Sequence, residues 1–291
     1  MTLQSDAAER PGDPPGRPAP APAQPEAPPP QEADVLAARV REALHRAGAR
    51  AAWAVGGPHG TLAGSAPPRR PADGAAPPAA PPAAPPEEAP HDAAALAGVL
   101  ALWPVLGRLV AGEAPGLHTP LTAYGDRAAA GLPPGTTAHQ LLTRRSPAGD
   151  GAADAALTRL AEHLGGAPLG ELAATLVWQP LGMTRTRLAD GALPTTSADL
   201  ARFLTHLVSS RDAPVARSWT DGSLRIRTGE LTPARGLLWH PAPHGTWSYG
   251  DASAVWVCPR RRRWAVLLPA DGDGRPRAAF REAVFAPPPA P

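Results

Sequence analysis

The apolar positions change period twice along the chain. Beyond Asp34, the residues Leu36, Val40, Ala43, Leu44 and Ala47 recur at helical spacing and Gly48 follows. That pattern predicts a helix closed by a glycine. Trp53 and Val55 then alternate toward Gly56-Gly57-Pro58-His59-Gly60, with Leu62 beyond, as in a β-hairpin with a Gly-rich turn. From His91 to Gly112, Leu96, Val99, Leu100, Trp103, Leu106, Leu109 and Val110 make a broad apolar helical face, with Asp92 placed to cap it. Pro104 lies inside that helix, where a proline costs ~3 kcal/mol and kinks the axis unless a new helix starts there. Thr137-Ala138-His139-Gln140 has the pattern of a capping box ahead of Leu141 and Leu142. Leu157, Leu160, Ala161 and Leu164 mark a further helix that Gly165-Gly166 stops. Pro168 is placed at the first position of the next, which carries Leu169, Leu172, Ala173 and Leu176. Thr196-Ser197-Ala198-Asp199 caps a helix bearing Leu200, Phe203, Leu204 and Leu207.

After Asp212 the pattern becomes that of strands. Ser223 to Thr228 alternate, Gly236 to Trp239 and Thr246 to Val257 read as short strands, and Trp264 to Leu268 is wholly apolar. Pro259 and Arg260 to Arg263 form the turn between the last two, and Pro276 to Phe285 closes the series as a helix. The order predicts an α+β domain: one antiparallel sheet built from both ends of the chain, with flanking helices and a helical middle.

Composition sets the limits of that domain. Many of the 41 prolines fall in residues 11–30 and 67–90, which cannot pack a core. Residues 1–32 read as a disordered Pro-rich tail, 33–285 as the domain, 67–90 as a Pro/Ala-rich insertion within it, and 286–291 as a second Pro-rich tail. The PxxP-like steps of the first tail fit either a spacer or a ligand for an SH3-like groove. Net charge is +2, too small for the field that nucleic acid binding requires. The single cysteine, Cys258, excludes an intramolecular disulfide and reads as a buried strand residue. No apolar run reaches the ~18 residues of a membrane span. These features together predict a cytoplasmic protein with no nucleic acid, membrane or cofactor to bind, and with a small molecule or a protein as its unidentified partner.

All 28 basic residues counted with lysine are arginines, and asparagine is absent as well. Arginine stays charged up to a pKa above ~12, so no side chain here can act as a neutral amine base. His240 and His244 are four apart, but Pro241 and Pro243 exclude the helix that would aim both at one metal. The Arg260–Arg263 run admits an anion-binding face or a solvated turn. The eight tryptophans fall among Leu and Val and read as core.

QPLGMTRT (179–186), followed by TTSADLARFL (195–204), resembles the serine β-lactamases and penicillin-binding-protein-like hydrolases, in particular the class C β-lactamase-related branch. AHQLLTRRSPAG (138–149), LTRLAEHLGGAPLGEL (157–172) and SAVWVCPRRRRWAVLLP (253–269) resemble further segments of that family in the same order. The resemblance implies acyl transfer by a serine in Ser-x-x-Lys, a proton-shuttling Tyr-x-Asn, and a Lys/His-Thr-Gly strand that holds the substrate and its oxyanion. Carried onto this chain, the Ser and Lys positions read Ala95 and Gly98, the Tyr-x-Asn positions read Gly149-Asp150-Gly151, and the strand motif reads Trp247-Ser248-Tyr249. Ser146, His139 and Asp150 supply a serine, a histidine and an aspartate by composition alone, and Tyr249 a phenol with no nucleophile assigned to it. Three functions stay open at this point. One is a pseudoenzyme that keeps the scaffold for a ligand or partner. The second is a serine ester or amide hydrolase with a rearranged site. The third is a Pro-rich interaction protein anchored by the domain.

Overall fold

The computed structural model describes residues 30–65, 90–112, 116–143, 150–231, 233–270 and 272–287, without the side chains of 30, 31 and 150. Helix α1 (Pro30–Arg46) begins four residues before the predicted start and ends as expected. Gly48 has φ of 62°, and the Ala49 N–H bonds the Leu44 carbonyl at 3.0 Å to close it. Strands β1 (Ala51–Gly57) and β2 (Gly60–Gly64) form the expected hairpin. A short strand β3 (His91–Asp92) leads into the central helical segment. Then follow α2 (Trp103–Ala111), α3 (Asp126–Ala129), α4 (Ala138–Leu142), α5 (Asp150–Gly165) and α6 (Leu169–Ala173). Short strand β4 (Pro194–Thr195) pairs with β3, and α7 (Ser197–Val208) and α8 (Arg217–Ser223) complete the helical middle. Strands β5 (His240–Ala242), β6 (Thr246–Tyr249), β7 (Ala254–Cys258) and β8 (Arg263–Pro269) precede α9 (Pro276–Phe285).

The six-stranded antiparallel sheet runs β2-β1-β8-β7-β6-β5, so the first hairpin joins the last strands through the β1–β8 pair. Strand β8 is apolar throughout because both of its faces are covered. Ala265 and Leu267 face α1 and α9, with Leu36, Val40 and Phe280; Trp264, Val266 and Leu268 face the helical middle. The Trp264 indole lies flat against β1, where a Cβ on Gly56 would be 2.2 Å from its ring. Its Nε1 donates to the Gly57 carbonyl and to Thr205 Oγ1, both at 3.1 Å. Among the described residues no helix is long and apolar enough to cross a membrane.

The β7–β8 turn ties this sheet to a helix on each face. Arg261 Nη1 donates to the Phe285 carbonyl at 2.7 Å and Arg262 Nε to the Val208 carbonyl at 3.1 Å. Phe285 and Val208 are the last residues of α9 and α7, so two of the four arginines satisfy helix C-terminal carbonyls. A merely solvated turn therefore understates their role.

The predicted helix from His91 to Gly112 is a composite. A 3₁₀ turn (Ala94–Leu96) passes into a π turn (Gly98–Leu102) and then into α2, which carries Pro104 in its first turn. Pro104 has no N–H, so the Leu100 carbonyl four residues back loses its usual donor. Trp178 Nε1 donates to that carbonyl at 2.9 Å instead. The wider π turn accommodates the ring, with the Trp103 N–H reaching the Gly98 carbonyl five residues back. Trp103 in turn donates from Nε1 to Ser223 Oγ at 2.9 Å, and its carbonyl accepts from Trp219 Nε1 at 3.1 Å. Gly107 makes room for that indole, since a Cβ there would lie 2.4 Å from it.

The PLGM segment and α7 are joined by one carboxylate. Asp199 is fully buried; it accepts from the Arg185 N–H at 2.9 Å, Thr186 Oγ1 at 2.8 Å and Arg202 Nη1 at 2.7 Å. Thr196 caps α7 as expected, accepting the Asp199 N–H at 3.2 Å. Thr137 and Gln140 form the predicted capping box, and Gly165-Gly166 ends α5. Pro168 is the N-cap of α6 and not its first helical residue.

Two predicted strands are absent. Ser223 ends α8, and 224–228 turn back as a loop in which Arg227 Nε donates to the Gly222 carbonyl at 2.7 Å and the Arg227 N–H to the Arg235 carbonyl at 2.7 Å. Ile226, the apolar centre of the alternation, is 55% exposed. Gly236–Trp239 is likewise a tight buried loop: the Gly236 N–H bonds the Trp239 carbonyl at 2.8 Å, and the Leu238 N–H bonds the Leu142 carbonyl at 2.7 Å. The predicted insertion and tail fall outside the described residues, apart from Pro90, residues 30–32 and 286–287.

Two outcomes follow for stability. Trp178→Phe removes this side-chain donor from the Leu100 carbonyl and is expected to cost about 1–3 kcal/mol in urea unfolding. In a Pro104→Ala background the restored N–H serves that carbonyl, so the same change costs less; strictly additive losses would disprove the coupling. The second outcome concerns His206 on α7, whose Nε2 lies 3.0 Å from the Val215 carbonyl and whose buried Nδ1 makes no hydrogen bond. Burial holds this imidazole below its usual value, although the Val215 carbonyl opposes the shift. The unfolded chain therefore takes up a proton near pH ~6.5 that the folded chain resists. Stability should fall as pH drops below about 7, and His206→Gln should flatten that slope.

Candidate functional site

The segment that carries Ala95 is anchored at its entry. Asp92 Oδ1 accepts from the Ala94 and Leu193 N–H groups, each at 3.0 Å, and β3 pairs with β4. Asp92 thus caps the first turn as the sequence predicts, although the residue at the helix boundary itself is Ala93. Ala95 stands exposed on the 3₁₀ turn, and Gly98 follows three residues later at the start of the π turn. A serine and a lysine at these two positions would share one face of the helix. Here the face carries a methyl group and a hydrogen atom.

Strand β6 lies alongside. Its period of two divides the side chains between the faces of the sheet. Ser248 points toward α9, where its Oγ accepts from Arg277 Nη2 at 3.2 Å. Trp247 and Tyr249 point to the helical side and pack on the main core. The Tyr249 phenol reaches Gly98: a Cβ built on Gly98 would lie 2.0 Å from Tyr249 Oη and 2.8 Å from Cζ. A side chain at 98 and the Tyr249 phenol would thus occupy the same space. Gly250 follows with φ of 90° and turns the chain over Leu96, whose Cδ2 would be 2.7 Å from a Cβ at 250. The hydroxyl of Tyr249 brings polarity to the site, but neither Ala95 nor Gly98 offers it a nucleophile to activate.

The other residues singled out by sequence separate into three groups. Ser146 and Gly149 lie outside the described residues, as does the side chain of Asp150. His139, on α4, stacks on His118 with ring centroids 4.6 Å apart. Gly151 is exposed in the first turn of α5. His240 lies on β5 and His244 on the following turn, where its Nε2 is 2.7 Å from Glu282 Oε2. No cluster of three or more His, Cys, Asp or Glu among the described residues could hold a metal ion. Cys258 is buried on β7, as expected of a strand residue.

The contact of Gly98 with Tyr249 was missed by reading each motif separately. The signal lay in the resemblance, which implies a lysine at 98 and a glycine at 249 where this chain has Gly98 and Tyr249. Gly98→Ala should therefore cost about 1–3 kcal/mol through overpacking, measured by thermal or urea unfolding. Tyr249→Phe removes the nearest atom, so it should recover part of that loss; an undiminished cost would show that the two positions do not contend for space.

No family model matches the chain, and no curated protein matches it. Solved structures do. A β-lactamase from Mycobacterium bovis is 21% identical, with a TM-score of 0.58, over 84% of this chain and 99% of that one. EstCE1, a hydrolase with promiscuous acyltransferase activity, is 13% identical, with a TM-score of 0.63, over 88% of this chain and 100% of its own. The D-alanine carboxypeptidase AmpC from Burkholderia cenocepacia is 14% identical, with a TM-score of 0.62, over 87% and 98%. At these identities the likeness is one of architecture. The chain has the α+β fold shared by β-lactamases, penicillin-binding proteins and D-alanine carboxypeptidases.

Proposed function

We propose that this chain is a pseudoenzyme on the β-lactamase-like serine-hydrolase scaffold, with the scaffold kept for binding a small ligand or a protein partner. The observation that carries the reading is the Tyr249 phenol seated against Gly98, 2.0 Å from where any side chain would begin. Acyl transfer on this fold needs a nucleophile and a base on neighbouring helical turns. Ala95 has no nucleophilic atom. The whole sequence has no lysine, and an arginine stays protonated at neutral pH. Trp247 cannot pair with a substrate carboxylate as a cation does. A lysine restored at 98 by mutation alone would also collide with Tyr249, so the loss involves packing as well as sequence.

The competing reading is an active ester or amide hydrolase whose nucleophile has moved. EstCE1, of similar fold, is a hydrolase, and Ser146 is the one serine between Ser65 and Ser197. Hydrolysis of nitrocefin and of short p-nitrophenyl esters separates the two. The pseudoenzyme reading expects rates at the level of buffer, unchanged by Ser146→Ala or Tyr249→Phe. Saturable turnover that Ser146→Ala abolishes would establish the rearranged hydrolase instead.

A further inference from the structure

The Arg260–Arg263 turn lies at the opposite end of β8 from the strand's Pro269 terminus and takes no part in the site around Gly98. Arg261 and Arg262 are exposed and each donates to a neutral main-chain carbonyl, which satisfies one N–H and leaves the charge in place. Arg263 donates to Glu32 at 2.9 Å, the one acidic partner of the run among the described residues. Arg260 is exposed and has no partner among them. A guanidinium carries five N–H donors in a flat fork, so most of the donors of this run remain unused.

Three of these arginines line one wall of a groove of about 340 Å³. The opposite wall is the β1–β2 turn, which offers the exposed His59 ring and Thr61 hydroxyl; neither makes a hydrogen bond elsewhere among the described residues. Pro58, Leu62 and Ala33 add an apolar surface to the same groove. The charge excess also reaches α1. Arg39 is held below its usual value, first by burial and then by the charge of Arg263, and its buried Nε has no hydrogen-bond partner.

Oxyanions with several acceptor atoms are what clustered guanidinium forks bind best, and hydroxyl and imidazole donors complete such a shell. The apolar wall has no use for a bare ion. We infer that the groove between the Arg260–Arg263 turn and the β1–β2 turn binds a small organic di- or triphosphate, with the phosphates on Arg261, Arg263, His59 and Thr61 and the organic group against Pro58 and Leu62. The inference is independent of whether the Gly98 site is catalytic.

Calorimetric titration of the full chain with ADP and with pyrophosphate tests it. Both should bind saturably at one site, with ADP tighter because it alone reaches the apolar wall. Arg261→Gln with Arg263→Gln removes two charges from the wall, at the loss of the Phe285 and Glu32 contacts, and should weaken both ligands about tenfold or more. His59→Ala with Thr61→Ala, which touches no internal hydrogen bond, should weaken them several-fold and serves if the first pair unfolds. Arg225→Gln, an exposed arginine outside the groove, should change nothing. Equal binding of the two probes would confine the site to free phosphate and overturn the organic-group assignment. Absence of saturable binding, or an equal loss with Arg225→Gln, would overturn the site altogether.

Discussion

A proline in the first turn of the central helix α2 constrains how its neighbours in this domain are arranged. Pro104 removes one N–H, and the Leu100 carbonyl it strands lies in an apolar interior. An unmet carbonyl there costs about 1–3 kcal/mol, so a donor has to be supplied from elsewhere in the chain. Trp178 supplies it at 2.9 Å, and in doing so it fixes the segment that opens PLGM against the central helix. The same helix places Trp103, whose ring meets Trp239 at 5.9 Å and Trp219 at 6.1 Å. The indoles of Trp103, Trp178 and Trp219 therefore act as long-armed donors that satisfy polar atoms inside an apolar interior, in addition to filling it.

The site inherits this arrangement. The central helix brings Ala95 and Gly98 to the edge of the core, and β6 brings Tyr249 onto Gly98. Losing a nucleophile takes one substitution, and one substitution could restore it. On the proposed reading, a phenol packed where the resemblance places the lysine is a different matter, because reversal then requires changes at both 98 and 249. The scaffold meanwhile remains well determined: Asp199 takes three hydrogen bonds between PLGMT and α7, and none of its partners belongs to the reacting positions. The residues that hold this part of the scaffold are thus separate from those at 95, 98 and 249.

That separation also explains what could be read in the sequence. Local signals survived translation into structure: the capping box at Thr137, the cap at Thr196, the glycine stop at Gly48, the Gly-rich hairpin and the doubly buried β8. Each depends on residues within a few positions of one another. The alternation from Ser223 to Thr228 misled because its polar members are tied elsewhere, Arg227 to Gly222 within the turn and Ser223 to Trp103 across the core, and its isoleucine faces solvent. Leu237 to Trp239 are core residues in a loop, so their hydrophobicity announced burial correctly and a strand wrongly. The Trp178 donor and the Gly98–Tyr249 contact arise from pairs far apart in the chain, and no local period encodes them. The resemblance pointed to 98 and 249 separately, whereas only the packing showed that the two positions share one space.

On the proposed reading, Ala95 and Gly98 leave the site without a group able to form an acyl-enzyme. Intact-mass spectrometry after prolonged incubation with a fluorophosphonate, and separately with a penicillin, measures that property directly and needs no knowledge of the substrate. The account predicts an unmodified mass with both reagents under conditions that fully label an active hydrolase of this fold. A stoichiometric adduct that maps to a single serine would contradict it.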